Sequence, residues 1–145
     1  MKRYLKYTFF IAVIVFYSCT ADNEKEDNPT PNGTTQPDFR NVYVGTWVCN
    51  EQSTVFGTTT YSVDITKHTT IASRIVASNF YNLGFANSNA QFEVSGNSIS
   101  IFQQTISGYN VVGSGTIANS STMNLSYATD DGSGIDSVTA VYTKN

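Results

Sequence analysis

Few residues in the chain could act as a nucleophile and a base. The chain contains one histidine, His68, and the region after residue 40 contains one cysteine, Cys49. If the first two strands form a hairpin centred near Val55, Cys49 lies opposite Tyr61 or Ser62, and His68 is roughly 20 Å further along. The two side chains should not meet. We therefore predict that Cys49 is a small buried hydrophobe, that His68 is a solvated loop residue and that the protein is not an enzyme.

Three carboxylates near the C-terminus could offer hard oxygen ligands to calcium. Asp130, Asp131 and Asp136 are interleaved with Gly132 and Gly134. Their spacing does not fit the calcium loop of an EF-hand. We predict a hydrated acidic hairpin loop, with calcium as the alternative, and we predict no metal and no cofactor.

The N-terminus has the pattern of an export signal. Three basic residues among the first six precede an apolar run from Tyr7 to Tyr17, which is too short to span a bilayer. Ser18 and Cys19 follow. This pattern resembles the signal of bacterial lipoproteins, which implies cleavage before Cys19, its lipidation and attachment to a membrane. The alternative is an ordinary secretory signal cleaved after Ala21, which would release a soluble protein.

The stretch after the cysteine has the composition of a tether. It contains all three prolines and no apolar periodicity, so we predict a flexible segment over residues 19–40. Its acidic start, residues 22–27, resembles the signal that sends some Gram-negative lipoproteins to the outer face of the outer membrane. The resemblance implies the cell surface. A solvated spacer, a position on the periplasmic side and a secreted form are the alternatives.

Composition indicates an all-β domain after the tether. Thr, Ser, Asn and Gly are abundant, whereas the strong helix formers are scarce. The formal net charge is −3, and no basic cluster follows residue 6, so we predict no nucleic-acid partner. The predicted organisation is a signal peptide over 1–18, the lipidated tether over 19–40 and one domain over 41–145.

Alternation of apolar and polar residues predicts eight strands separated by turn residues. The expected inward-facing residues include Tyr61, Val63 and Ile65 on the second strand. Further pairs and triplets with the same spacing are Phe92/Val94, Ile99/Ile101, Met123/Leu125/Tyr127 and Val138/Ala140/Tyr142. The predicted strands are 42–51, 58–67, 70–77, 90–95, 98–103, 111–118, 122–128 and 136–143.

Short connections favour closure as an eight-stranded antiparallel up-and-down β-barrel, because closure removes both sheet edges. A two-sheet sandwich is the alternative, since the connection 78–89 is long enough for a crossover. The motif Gly45-Thr46-Trp47 resembles the Gly-x-Trp signature of the lipocalins and the wider calycin group. That resemblance implies that Trp47 plugs one end of the barrel under a basic residue, here Lys144. The stretch 43–145 also resembles calycin-like barrel domains of bacterial lipoproteins.

Aromatic residues concentrate in the predicted connections. Tyr81 and Phe85 lie in or near the longest one, and Tyr109 precedes the sixth strand. We predict that these three contact a small apolar or glycan ligand at the mouth of a membrane-tethered barrel. They could equally fold down as a lid. The second functional hypothesis is a lipoprotein with a filled barrel that contacts another envelope protein.

Overall fold

The structure is a computed structural model that describes residues 37–144. The predicted signal peptide (1–18), Cys19 and the tether up to residue 36 lie outside the described residues. Among residues 37–144, no helix has the length and apolar character needed to cross a membrane.

Eight antiparallel strands close into one barrel. Each strand pairs with the next along the chain, and β1 pairs with β8 from Trp47↔Lys144 to Ser53↔Val138. This confirms the predicted all-β up-and-down barrel and excludes the sandwich, because no sheet edge is left open. The strands are β1 (Gly45–Ser53), β2 (Gly57–Lys67), β3 (Arg74–Ser78), β4 (Ala90–Ser95), β5 (Ser98–Ile106), β6 (Tyr109–Asn119), β7 (Thr122–Asp130) and β8 (Ile135–Lys144).

The side-chain alternation of the strands fills the interior with apolar groups. Successive side chains of a strand point to opposite faces, so one apolar set per strand enters the barrel. Tyr61 is half-buried, and every other residue predicted to face inward is buried. Phe80 enters the same core from the connection after β3 and packs against Phe92 and Tyr127, with centroid distances of 5.5 and 4.7 Å.

Two strands begin later than predicted. Phe39–Val42 form a short 3-10 helix, η1, and β1 starts at Gly45, whose φ of 132° suits glycine. β3 starts at Arg74 because residues 68–73 form a turn. The His68 ring shapes this turn: Nδ1 accepts hydrogen bonds from the backbone N–H groups of Thr70 (3.2 Å) and Ile71 (3.1 Å).

A glycine in β6 allows β6 and β7 to approach closely. A Cβ atom at Gly113 would lie 2.4 Å from the Cβ of Tyr127, which no side chain tolerates. Gly113 therefore lets the Tyr127 side chain sit where a β6 side chain would otherwise be.

The barrel has two different ends, which we call the closed end and the open end. Residues 38–40, which belong to the predicted tether, lie in and before η1 at the closed end, where Arg40 donates to the carbonyls of His68, Ile71 and Arg74. The closed end comprises η1 and the turns 68–73, 96–97 and 120–121. The open end comprises the connections 54–56, 79–89, 107–108 and 131–134.

Candidate functional site at the open end

Trp47 and Lys144 lie together at the closed end. The Trp47 side chain has no exposed surface, and its Nε1 donates to the Tyr43 carbonyl at 2.8 Å. Lys144 Nζ lies 5.2 Å from the centre of the indole ring and donates to the Val42 carbonyl at 3.1 Å. The side chain of Tyr43 also lies at this end, and its hydroxyl donates a hydrogen bond to the Gly96 carbonyl at 2.8 Å. This end of the interior offers no entry to a ligand.

Tyr81 and Tyr109 meet at the open end, where Phe56 joins them. The Tyr81 ring packs edge to face against Tyr109 (5.4 Å between centroids) and lies 6.3 Å from the Phe56 ring. Phe85 lies in the same connection as Tyr81, but it is 55% exposed and lines neither cavity of this end. The structure thus brings two of the three predicted contact residues together and adds the exposed Phe56 from the β1–β2 turn.

The backbone at Tyr81 is strained. Its φ of 56° and ψ of 28° lie in the left-handed region, which costs a non-glycine residue on the order of 1–3 kcal/mol. The side chain compensates for this cost: the ring is largely buried, and the hydroxyl donates to Asp136 Oδ2 at 2.6 Å. The conformation points the ring of a loop residue down into the barrel.

Two of the cavities at this end are lined by these aromatic rings. One has a volume of about 230 Å³ and the other about 280 Å³. Phe56, Tyr81 and Tyr109 line both. Asp136 contributes to the smaller cavity and Glu51 to the larger one. Each cavity therefore combines aromatic walls with a carboxylate.

Asp136 is a buried hydrogen-bond centre, and its prediction as part of a hydrated loop is wrong. It lies in β8, is 4% exposed and accepts hydrogen bonds from the hydroxyls of Ser53 (2.6 Å), Thr54 (2.9 Å) and Tyr81. It also accepts from the backbone N–H groups of Thr54 (2.9 Å) and Val55 (3.1 Å). The inward alternation of Val138, Ala140 and Tyr142 extends back to position 136, and this signal could have identified it.

The other two carboxylates of the predicted acidic hairpin loop, Asp130 and Asp131, do lie at the loop. Asp130 Oδ1 accepts from the N–H of Gly132 (2.8 Å), and Asp131 Oδ1 accepts from the N–H (2.9 Å) and hydroxyl (2.6 Å) of Ser133. Within residues 37–144, no three His, Cys, Asp or Glu side chains are arranged to hold a metal ion.

Glu51 is the second buried carboxylate, and sequence reasoning did not single it out. It is 3% exposed, and its Oε2 accepts hydrogen bonds from the hydroxyls of both Tyr61 and Tyr127. It faces inward with Trp47 and Cys49, whose spacing of two along β1 could have revealed it. The side chain lies at the wall of the larger cavity.

The environments of the two carboxylates shift their pKa values in opposite directions. Burial raises the pKa of Glu51, and the hydrogen bonds from Tyr127 and Tyr61 reverse only part of this rise. Burial would also raise the pKa of Asp136, but the hydrogen bonds that it accepts outweigh this and lower the pKa. In the described part of the chain, no Lys, Arg or His forms an ion pair with either carboxylate.

Cys49 and His68 do not meet. Cys49 is fully buried opposite Tyr61, as predicted, and burial raises the pKa of its thiol to about 12. A thiol with so high a pKa is almost entirely protonated at neutral pH, so Cys49 is a poor nucleophile. His68 lies in the turn after β2 at the closed end, as predicted, but it is half-buried rather than solvated, because its ring accepts hydrogen bonds from the backbone of that turn.

Comparisons with known proteins support the fold. No protein-family model matches the chain, and no curated protein matches it. Among solved structures, EF1p2_mFAP2b bound to DFHBI has a TM-score of 0.53 and 12% identity, covering 74% of this chain and 98% of the other. A redesigned beta barrel has a TM-score of 0.50 and 12% identity, covering 74% of this chain and 96% of the other. At such identities the likeness concerns the fold alone, a closed barrel consistent with the calycin-like type.

Proposed function

We propose that this protein is a calycin-like barrel that binds a small ligand at its open end and is held at the cell envelope through a lipid on Cys19. The barrel is closed at one end by Trp47 and has aromatic-walled cavities at the other. The lipoprotein part of the proposal is supported by the basic and apolar N-terminal pattern that ends at Ser18 and Cys19.

The pair of cavities at the open end is the observation that carries the proposal. The aromatic rings that line both cavities offer a flat apolar surface on which a ring of a small ligand can stack. Glu51 and Asp136 place hydrogen-bond acceptors beside these rings. Asp136 already accepts five hydrogen bonds, but Glu51 accepts them only through Oε2, so a ligand that donates a hydrogen bond to the remaining oxygen fits this surface better than a purely apolar one. Of the two ligand types expected from the sequence, a glycan with its hydroxyl donors fits this surface better.

An NMR titration of the purified protein tests the proposal. Neutral mono- and disaccharides and small apolar compounds are added one by one while backbone amide shifts are followed. We expect at least one compound to shift amides around Phe56, Tyr109 and Gly134, and Tyr109→Ala to weaken that binding about tenfold or more.

Phe85→Ala is the matched control in that titration. Phe85 is an exposed aromatic residue of the same end that lines neither cavity. Binding unchanged by Phe85→Ala and weakened by Tyr109→Ala places the ligand in the cavities. If neither this panel nor a small amine shifts an amide of the open end, the ligand-binding function is refuted.

The exposed apolar residues favour a second candidate function, protein contact. Val55, Phe56 and Ile135 are 61%, 65% and 69% exposed and all line the smaller cavity. Such clusters are typical of surfaces that contact another macromolecule. Under this alternative, an envelope protein covers the open end and no small compound shifts the cavity amides, so the titration separates the two functions.

A further inference from the structure

The two oxygen atoms of the Glu51 carboxylate have different surroundings. Oε2 accepts hydrogen bonds from Tyr61 and Tyr127, which fixes the orientation of the group. No hydrogen bond from the described residues reaches Oε1. The side chain is 97% buried with respect to solvent and yet lines the larger cavity. A carboxyl oxygen that accepts no hydrogen bond from the described residues and belongs to a group lining a cavity has the chemistry of a recognition point for a ligand.

The groups packed around Glu51 supply no positive charge. The four cations among residues 37–144 are Arg40, Lys67, Arg74 and Lys144, and all lie in or next to the elements of the closed end. The titratable groups near Glu51 are instead acidic or neutral on every element around it. They are Cys49 on β1, Tyr61 on β2, Tyr81 in the β3–β4 connection, Tyr127 on β7, and Asp136 and Tyr142 on β8.

We propose that the ligand of the larger cavity carries a protonated amine that donates a hydrogen bond to Glu51 Oε1, while Phe56, Tyr81 and Tyr109 contact its apolar part. This inference rests on the proposed function and names the ligand class. Aromatic rings add to the recognition of such a ligand, because the faces of Phe and Tyr attract cations. An ammonium group also supplies the positive charge that a desolvated carboxylate lacks.

The geometry of the carboxylate selects an amine over other cations. A guanidinium group binds a carboxylate best through two parallel hydrogen bonds, which require both oxygens. Here Oε2 already accepts two phenol hydroxyls, so one oxygen remains for a single donor. Calcium would require six to eight oxygen ligands, and the larger cavity offers one carboxylate.

Binding of a charged and a neutral compound of the same shape tests this inference. The probes are 2-phenylethylamine and 2-phenylethanol, which share the ring and chain and differ in the ammonium group. By titration calorimetry, we expect the amine to bind the unaltered protein at least about tenfold more tightly than the alcohol. Glu51→Gln should remove this preference while the two tyrosine hydroxyls donate to the amide oxygen. Equal affinities, or no binding of the amine, would overturn the inference.

Asp130→Asn is the control for long-range charge. It removes one negative charge from the same end without altering Glu51, and Asp130 lines neither of the two aromatic-walled cavities. The amine preference should persist in this variant. If Asp130→Asn removes it as fully as Glu51→Gln does, the general field of the open end explains the preference and the assignment to Glu51 is wrong.

A measurement on the unaltered protein covers the case in which Glu51→Gln does not fold. The side-chain carboxyl carbon of Glu51 should shift in its NMR spectrum when the amine is added and not when the alcohol is added. An unmoved resonance at saturating amine refutes the contact. If neither probe binds but a neutral sugar or apolar compound shifts the cavity amides, the amine inference fails and the ligand-binding function stands.

Discussion

The closed and open ends of the barrel differ in charge. All four cations of residues 37–144 lie at or next to the closed end, whereas Glu51, Asp130, Asp131 and Asp136 lie at or near the open end. At the closed end, Arg40 donates to three backbone carbonyls and Lys144 to a fourth. The other two cations of this end form ion pairs, Lys67 with Asp38 and Arg74 with Glu93. The acids of the open end have no such cation beside them, so this end attracts positively charged groups.

The two ends also differ in backbone strain. The five non-glycine residues with positive φ among residues 37–144 all belong to the open end. They are Asn79, Tyr81, Asn82, Asn87 and Ser107. Strained conformations persist where surrounding contacts enforce them, and they concentrate at functional sites. The comparison therefore assigns recognition to the open end and a purely stabilising role to the closed end, and this division can be tested by substitutions at each end.

The largest effect is expected from Trp47→Ala at the closed end. The substitution removes the largest fully buried side chain and the hydrogen bond to the Tyr43 carbonyl. We expect a loss of about 3–5 kcal/mol in the free energy of unfolding, measured by urea denaturation. Val141→Ala, on the outer face of β8, is the control and should change this free energy by less than about 0.5 kcal/mol. A loss below about 1 kcal/mol for Trp47→Ala would contradict the role of the closed end.

The next effect is expected from Asp136→Asn at the open end. The carboxylate of Asp136 accepts five hydrogen bonds, and the single amide oxygen of Asn cannot accept all of them. The NH₂ group of Asn would in addition face hydrogen-bond donors instead of acceptors. We expect a loss of about 2–3 kcal/mol at neutral pH by urea denaturation. A loss of this size would show that the open end also contributes to stability, through the group that accepts the hydrogen bond of the strained Tyr81.

The pH dependence sharpens that prediction. The pKa of Asp136 is lower in the folded than in the unfolded protein, so its contribution is present above the unfolded value of about 3.9 and is lost as pH falls through the folded value. The stability difference between the unaltered protein and Asp136→Asn should be constant near neutral pH and shrink in acid. Carboxylates that do not interact with Asp136 are the same in both proteins and cancel, whereas Glu51 does not cancel fully, because the Asp136 charge contributes to its raised pKa. A difference that is independent of pH down to the acid transition would contradict the charged role of Asp136.

The strand pattern was predictable because period-two alternation is a local signal, and each predicted inward set indeed faces the core. The start of β1 was not predictable from the sequence, because η1 depends on contacts of Arg40 with a turn about thirty residues away. The buried carboxylates were missed because charged residues usually lie outside, although the alternation itself placed Glu51 and Asp136 inward. Tyr81 and Tyr109 could be selected by residue type, but the exclusion of Phe85 from the cavities depends on the left-handed conformations of the connection.

The smallest effect is expected from Lys144→Met at the closed end. Methionine keeps the apolar stem that covers the indole but removes the ammonium group over the ring and its hydrogen bond to Val42. A cation–π contact of this kind contributes about 0.5–1 kcal/mol, so we expect a loss of that size in urea denaturation. Ligand affinity at the open end should be unchanged, because Lys144 lies at the opposite end of its strand. A weakened affinity would show that the two ends are coupled and would refute the division of roles between them.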